Sequence, residues 1–233
     1  MMTNLGQPEI NSYLLPLIDA FKASADSVHA DRMSAYMKNN FPFFGISSPH
    51  RKELMREFLK EYSYPQPTLF PDVIVSCFQQ HERELQYFAV DILTKKIDKQ
   101  NKETIELAEW MIVTKSWWDS VDAIASNIIG PLLLKFPELR NRSDGYLKSD
   151  NMWLRRTALL HQLKYKDQTD EEKLFAYCQE LSDEKGFFIR KAIGWALREY
   201  SKTDPKSVIN FVNKIQISAL SRKEALKWLN NKS

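Results

Sequence analysis

The sequence predicts an all-α fold: an α-solenoid of stacked helical hairpins that forms a single curved domain over residues 1–233. Three observations carry this. Glycine is scarce, six in 233 residues, and Asp144-Gly145 is the one Asn-Gly, Asp-Gly or Gly-Gly pair, so hairpins between long strands have little to build them. An alanine recurs as Ala89 in QYFAVDIL, Ala123 in SVDAIASN, Ala158 in RRTALLHQ, Ala192 in RKAIGWAL and Ala225 in RKEALKWL, at intervals of 34, 35, 34 and 33 residues. Each is followed by a large aliphatic residue (Val90, Ile124, Leu159, Ile193, Leu226). The stretches between them, PDVIVSCF, KETIELAEWMIV, EEKLFAYCQEL and DPKSVINFVNKI, have helical periodicity of their own. Two helices per period of about 34 residues is the pattern of a helical-hairpin array, and a small residue at a fixed position lets neighbouring helices approach closely.

Punctuation sets the individual elements. Residues 11–25 read as a first helix and 31–40 as a second, stopped by Phe41-Pro42. Pro49 suits a first helical turn, and HRKELMREFLKEY continues that helix to the break at Pro65 and Pro67. Asp204-Pro205 places an N-cap before a first-turn proline and opens the penultimate helix. No stretch has linker composition, so one continuous domain is expected.

Composition narrows the chemistry. Hydrophobic residues make up 43% and charged residues 27%, and six Trp, nine Tyr and thirteen Phe are too many for a disordered chain. No apolar run approaches the roughly 20 residues a membrane span needs. The start MMTNLGQPEINSY lacks a basic segment followed by an apolar one, so the expected location is the cytosol. Cys77 and Cys178 cannot make a disulfide framework or a four-ligand zinc site, and His29, His50, His81 and His161 are not paired with acids or cysteines at metal-ligand spacing. GxGxxG, GxxxxGK[ST] and GxSxG are all missing. The expectation is a protein without metal or cofactor.

The net charge of +3 is unevenly placed: residues 148–233 hold 17 Lys and Arg against 11 Asp and Glu. A basic C-terminal half fits either a polyanionic partner or a solvated helix surface. The repeat register adds direction. Residues four apart share a helix face, so positions five before, one before and three after each alanine form a stripe. The stripe reads Trp118, Asp122, Ser126; then Trp153, Thr157, His161; then Phe187, Lys191, Trp195; then Leu220, Glu224, Trp228. Arg156 and Arg190 flank it. An aspartate one turn from a tryptophan in VDAIASNII is costly to bury alone. It is either ion-paired, with Arg156 the candidate partner, or it faces an open surface.

Three segments, VTKSWWDSVD (113–122), SDNMWLRRTALLHQLKYK (149–166) and FFIRKAIGWALREY (187–200), resemble the AlkD-type DNA alkylation repair family. The likeness extends upstream through AYMKNNFPFFGISSPHRKEL (35–54) and downstream through LSRKEALKWL (220–229). Members are bacterial DNA glycosylases built from HEAT-like repeats. The resemblance implies a catalytic aspartate at Asp122 and substrate-facing indoles at Trp118 and Trp195. It also implies a backbone-contacting arginine at Arg156 and a tyrosine near the nucleotide at Tyr36. Arg190 and Lys191 are expected to join Arg156 on phosphates.

The implied reaction is hydrolysis of the N-glycosidic bond of cationic N3- or N7-alkylated purines in double-stranded DNA, by a monomeric protein with no membrane partner. Such a base departs neutral, so no general acid is required. A carboxylate stabilises the charge developing on the sugar, and indole faces attract the cationic base. Lys191 has no surroundings that would deprotonate it, so base release without strand cleavage is expected. The alternative reading is a non-catalytic helical-repeat module that binds DNA structure or a protein partner.

Overall fold

The computed structural model describes residues 7–231, and among them there is helix and no strand. The chain divides into two compact units, residues 1–96 and 97–233.

The first unit contains α1 (Gln7–Ala23), α2 (Ser27–Tyr36), α3 (Ser48–Tyr62), α4 (Phe70–Gln79) and α5 (Arg83–Lys96). Helix α1 packs on α3 and α4, and α4 packs on α5. Leu14, Leu17, Phe21, Phe58, Ile74, Phe78, Phe88 and Ile92 are buried there. α1 starts four residues before the expected position and carries Pro16 in its interior. α2 also starts four residues early, because Asp26 caps it: the carboxylate accepts from the His29 amide at 2.9 Å. It ends at Tyr36, and Lys38 and Asn39 both take φ of 58°, a left-handed conformation no α-helix can continue through. Pro49 sits in the first turn of α3 as expected.

The loop after α2 is held by a side chain from α5. Glu84 is fully buried, and its carboxylate accepts from the amides of Phe44 (3.1 Å), Gly45 (3.0 Å) and Ile46 (3.3 Å). Gly45 has φ of +88°, and a β-carbon there would lie 2.1 Å from the Asp26 carbonyl oxygen, so only glycine fits. Arg83, also fully buried, lays its guanidinium 3.9 Å from the Phe41 ring centre.

The second unit contains α6 (Thr104–Val113), α7 (Trp118–Ile124), α8 (Gly130–Lys135), α9 (Arg142–Leu147), α10 (Met152–Leu160), α11 (Glu171–Glu180), α12 (Phe187–Tyr200), α13 (Pro205–Lys214) and α14 (Ala219–Asn230). The four helices that start the stripe residues stack side by side in the order α7, α10, α12, α14. Helix α6 lies against α7, α9 and α11 against α10, and α13 against α12 and α14. This is the hairpin array that the alanine spacing predicts. Ala158, Ala192 and Ala225 are buried where the stacked helices meet, while Ala123 is half-buried. Asp204 caps α13 by accepting from the Ser207 amide at 2.9 Å. Asp144-Gly145 makes no turn and lies inside α9.

Between α7 and α8 the helix widens into a π turn over Ala125–Ile129. The chain therefore passes from Trp118 to Lys135 as one continuous helical rod with a wide turn in its middle. Such turns are found disproportionately at functional sites.

Candidate functional site

Asp122 lies in the last turn of α7, with Trp118 one turn earlier at the helix start. Arg156 of α10 holds both carboxylate oxygens: Nε is 2.6 Å from Oδ1 and Nη2 is 2.7 Å from Oδ2. The remaining arm of the guanidinium, Nη1, donates to the Phe188 carbonyl at the start of α12. One arginine thereby ties three stacked helices together. The pair is deeply set, with Asp122 8% and Arg156 4% exposed. Of the two readings open for the aspartate, the ion pair is realised.

Burial pushes the Asp122 carboxyl above the ordinary carboxylate range; the hydrogen bonds and charge of Arg156 pull the other way, and Asp119 adds to the rise. A guanidinium does not give up its proton, so a neutral Asp122 would strand a buried cation. The pair stays ionised near neutral pH. Ser126, one turn beyond, donates its hydroxyl to the Asp122 carbonyl at 2.8 Å, at the beginning of the π turn.

Trp118 and Trp195 are both half-exposed, on α7 and α12 of the stacked layer. Neither indole is sealed in the core. Beside them is an aromatic cluster in which Trp153 is the one stripe residue. Trp117, Trp153 and Phe188 meet with ring centres 5.8 Å (Trp117–Trp153), 5.2 Å (Trp117–Phe188) and 5.1 Å (Trp153–Phe188) apart. The Arg156 guanidinium lies 5.9 Å from the Phe188 ring centre, so the cluster forms one wall of the ion pair's surroundings. Phe187 packs edge-on against Phe188 at 5.5 Å and is 55% exposed. The indole nitrogen of Trp117 is buried without a hydrogen-bond partner. The doubled aromatics Trp117-Trp118 and Phe187-Phe188 opening two stacked helices are the sequence signal for this cluster.

The stripe is not uniformly open. Asp122, Ser126, Thr157 and His161 are buried, whereas Lys191, Trp195, Glu224 and Trp228 are half-exposed. Lys191 is ion-paired with Glu224 at 2.8 Å. Arg190 is half-buried, with its Nε enclosed and unpartnered, and its carbonyl accepts from the Ser221 hydroxyl at 2.9 Å. Tyr36 belongs to the other unit and is 68% exposed. The structure thus joins Asp122 directly to Arg156 and through it to the start of α12. Arg156, expected on DNA phosphates, has its donors turned inward.

Among the described residues no group of three or more His, Cys, Asp or Glu is placed to hold a metal ion. No helix among them is long and apolar enough to cross a membrane.

Residues 17–229 match the DNA alkylation repair enzyme family. A predicted DNA alkylation repair enzyme of Enterococcus faecalis has a solved structure similar to this one, with 34% sequence identity, a TM-score of 0.81, and coverage of 88% of this chain and 96% of that one. AlkD2 of Streptococcus mutans shares the fold at 18% identity and a TM-score of 0.60, over 85% of this chain and 98% of its own. The protein smu.31 of Streptococcus mutans UA159 does so at 19% identity and 0.58, over 76% and 92%. No curated protein sequence matches the chain.

Proposed function

Because the chain belongs to the DNA alkylation repair enzyme family, we propose that it is a monofunctional DNA glycosylase. It excises cationic N3- and N7-alkylated purines from duplex DNA and leaves an abasic site. The observation that carries this is the Asp122 carboxylate, aimed by Arg156 at the junction of three stacked helices, with half-exposed indoles on two of them.

In this reading water adds to C1′ of the deoxyribose. The C1′–N bond breaks with its electron pair going to the base, which neutralises the base's positive charge. The proton released by water passes to solvent. Asp122 stabilises the positive charge that builds on the sugar, and Trp118 and Trp195 recognise the cationic base. Each contributes about 0.5–1 kcal/mol if exposed and ~2 if desolvated. Arg156 acts as a positioning residue: with Nε and Nη2 on the carboxylate and Nη1 on Phe188, it fixes the direction of the charge. Lys191 on the stripe and Arg190 beside it remain the residues for phosphates, and Tyr36 the residue for the nucleotide.

The test is release of 7-methylguanine and 3-methyladenine from methylated duplex. Asp122→Asn should lose about 10²–10³-fold in rate, the scale on which a preorganised electrostatic group acts, while still binding DNA. A second reading is favoured by one observation, that both Asp122 oxygens are already occupied and the residue is only 8% exposed. The chain would then bind DNA without cutting, and wild type and Asp122→Asn would be equally inert.

A further inference from the structure

Helices α12 and α14 come together at Gly194. A β-carbon there would lie 2.4 Å from Cβ of Glu224 and 2.7 Å from the Ser221 carbonyl oxygen, so no other residue allows this approach. The gap lets Glu224 lie across α12 with a cation about one turn to either side of it. Lys191 Nζ is 2.8 Å from one carboxylate oxygen and Arg198 Nη1 is 3.1 Å from the other. Hydrogen bonding from Lys191 holds the Glu224 carboxyl below its usual range against the desolvation that raises it, helped by the charges of Lys191, Arg198 and Lys227. Both cationic side chains are part-exposed, 35% for Lys191 and 24% for Arg198.

Ion pairs this open add little to stability. The junction also has other attachments: Ala192 and Ala225 are fully buried, and the Ser221 hydroxyl donates to the Arg190 carbonyl. What the carboxylate does do is neutralise two cations on the half-exposed end of the stripe. Its two oxygens, each taking one donor, present what two oxygens of a phosphodiester would present to the same groups.

We propose that Glu224 is an internal stand-in for a DNA phosphate. It occupies Lys191 and Arg198 in the free protein and against undamaged duplex, and gives them up only to the backbone of duplex gripped at a lesion. The proposal rests on the reading that this face binds DNA. Its consequence is weak binding to undamaged DNA: part of the charge that would release counterions is already paired, and an incoming strand meets a carboxylate in its path. The repeat register gives Glu224 the same position, one before the alanine, that Asp122 has three repeats earlier.

The experiment is an anisotropy titration of undamaged duplex between 50 and 200 mM salt. It compares wild type, Glu224→Gln, Glu224→Asp, and Glu224→Gln combined with Lys191→Gln, with melting temperatures measured on each. Glu224→Gln should bind several-fold tighter. Its log–log salt slope should steepen by about 0.9 for each cation freed. Glu224→Asp should keep the wild-type slope, and the double variant should return towards it. A Glu224→Gln slope equal to wild type, with wild type binding DNA, overturns this proposal alone and makes Glu224 a helix-to-helix tie. Wild type without salt-dependent duplex binding overturns the DNA-binding reading as well.

Discussion

Among the described residues two carboxylates are buried, one in each unit: Glu84 and Asp122. Burial pushes both above the ordinary range, and both have partners that push back. They differ in what those partners are. Glu84 is held by three successive backbone amides, whose positions are fixed by the chain itself. Asp122 is held by one side chain from a neighbouring helix, with half-exposed aromatics beside it. Glu84 has the geometry of a plug that shapes a loop, and Asp122 that of a charge aimed at a face. A shifted carboxyl does not by itself mark a site; the accessibility of its surroundings does.

The contrast can be broken in three ways, the largest effect first. Glu84→Leu leaves three buried amides without acceptors. At about 1–3 kcal/mol each, that takes a large share of a typical ~5–15 kcal/mol stability. Thermal unfolding followed by circular dichroism should show a fold lost or severely weakened. If Glu84→Leu melted like wild type, the structural role would be lost.

The second measurement is the pH profile of base release by wild type. Under the proposed mechanism only ionised Asp122 would stabilise the developing cation, so the rate should fall on acidification through a value above the ordinary carboxylate pKa of ~3.9. A limb at or below that value would mean that Arg156 outweighs burial.

The third concerns His161, a buried stripe residue whose ring nitrogen Nδ1 meets the Ala158 carbonyl at 2.8 Å. Burial pulls its pKa down to about 4. Below about 6.5 the unfolded chain takes up a proton that the folded chain refuses. The stability held by neutral His161 is therefore complete above that pH, lost as pH falls towards about 4, and level below. His161→Gln should show no difference in that slope's contribution at pH 7 and a shallower loss of melting temperature at pH 5. Parallel pH dependence in both proteins would remove His161 from the account.

How legible these features were depends on their range. The stacked layer α7, α10, α12, α14 could be read because close helix packing demands a small residue at a recurring place, and Ala158, Ala192 and Ala225 supply it. Arg156 could be named as a partner for Asp122 because both sit beside the same register position. Of the Trp117–Trp153–Phe188 cluster the stripe held only Trp153, because a one-face stripe keeps residues four apart and drops immediate neighbours such as Trp117 and Phe188. Glu84 left no trace either: nothing in RELQYF separates an exposed acid from one facing amides about 40 positions away. The early start of α2 was missed because the weight placed on apolar spacing hid the cap at Asp26. The π turn lies within the longest of the four alanine intervals, the 35 residues from Ala123 to Ala158.

That wide turn has a consequence for transplanting the tryptophan–aspartate stretch into another repeat protein. An ordinary turn advances about 100° per residue, so a graft that stopped at Asp122 and resumed with regular helix would put everything after it out of phase. In the native rod, Asp122 before the wide turn meets Arg156, and Gly130 after it lies under the His161 carbonyl, where a β-carbon would come within 2.1 Å of the oxygen. Acid, wide turn and glycine form one cassette, and the portable unit runs from Trp117 to Gly130.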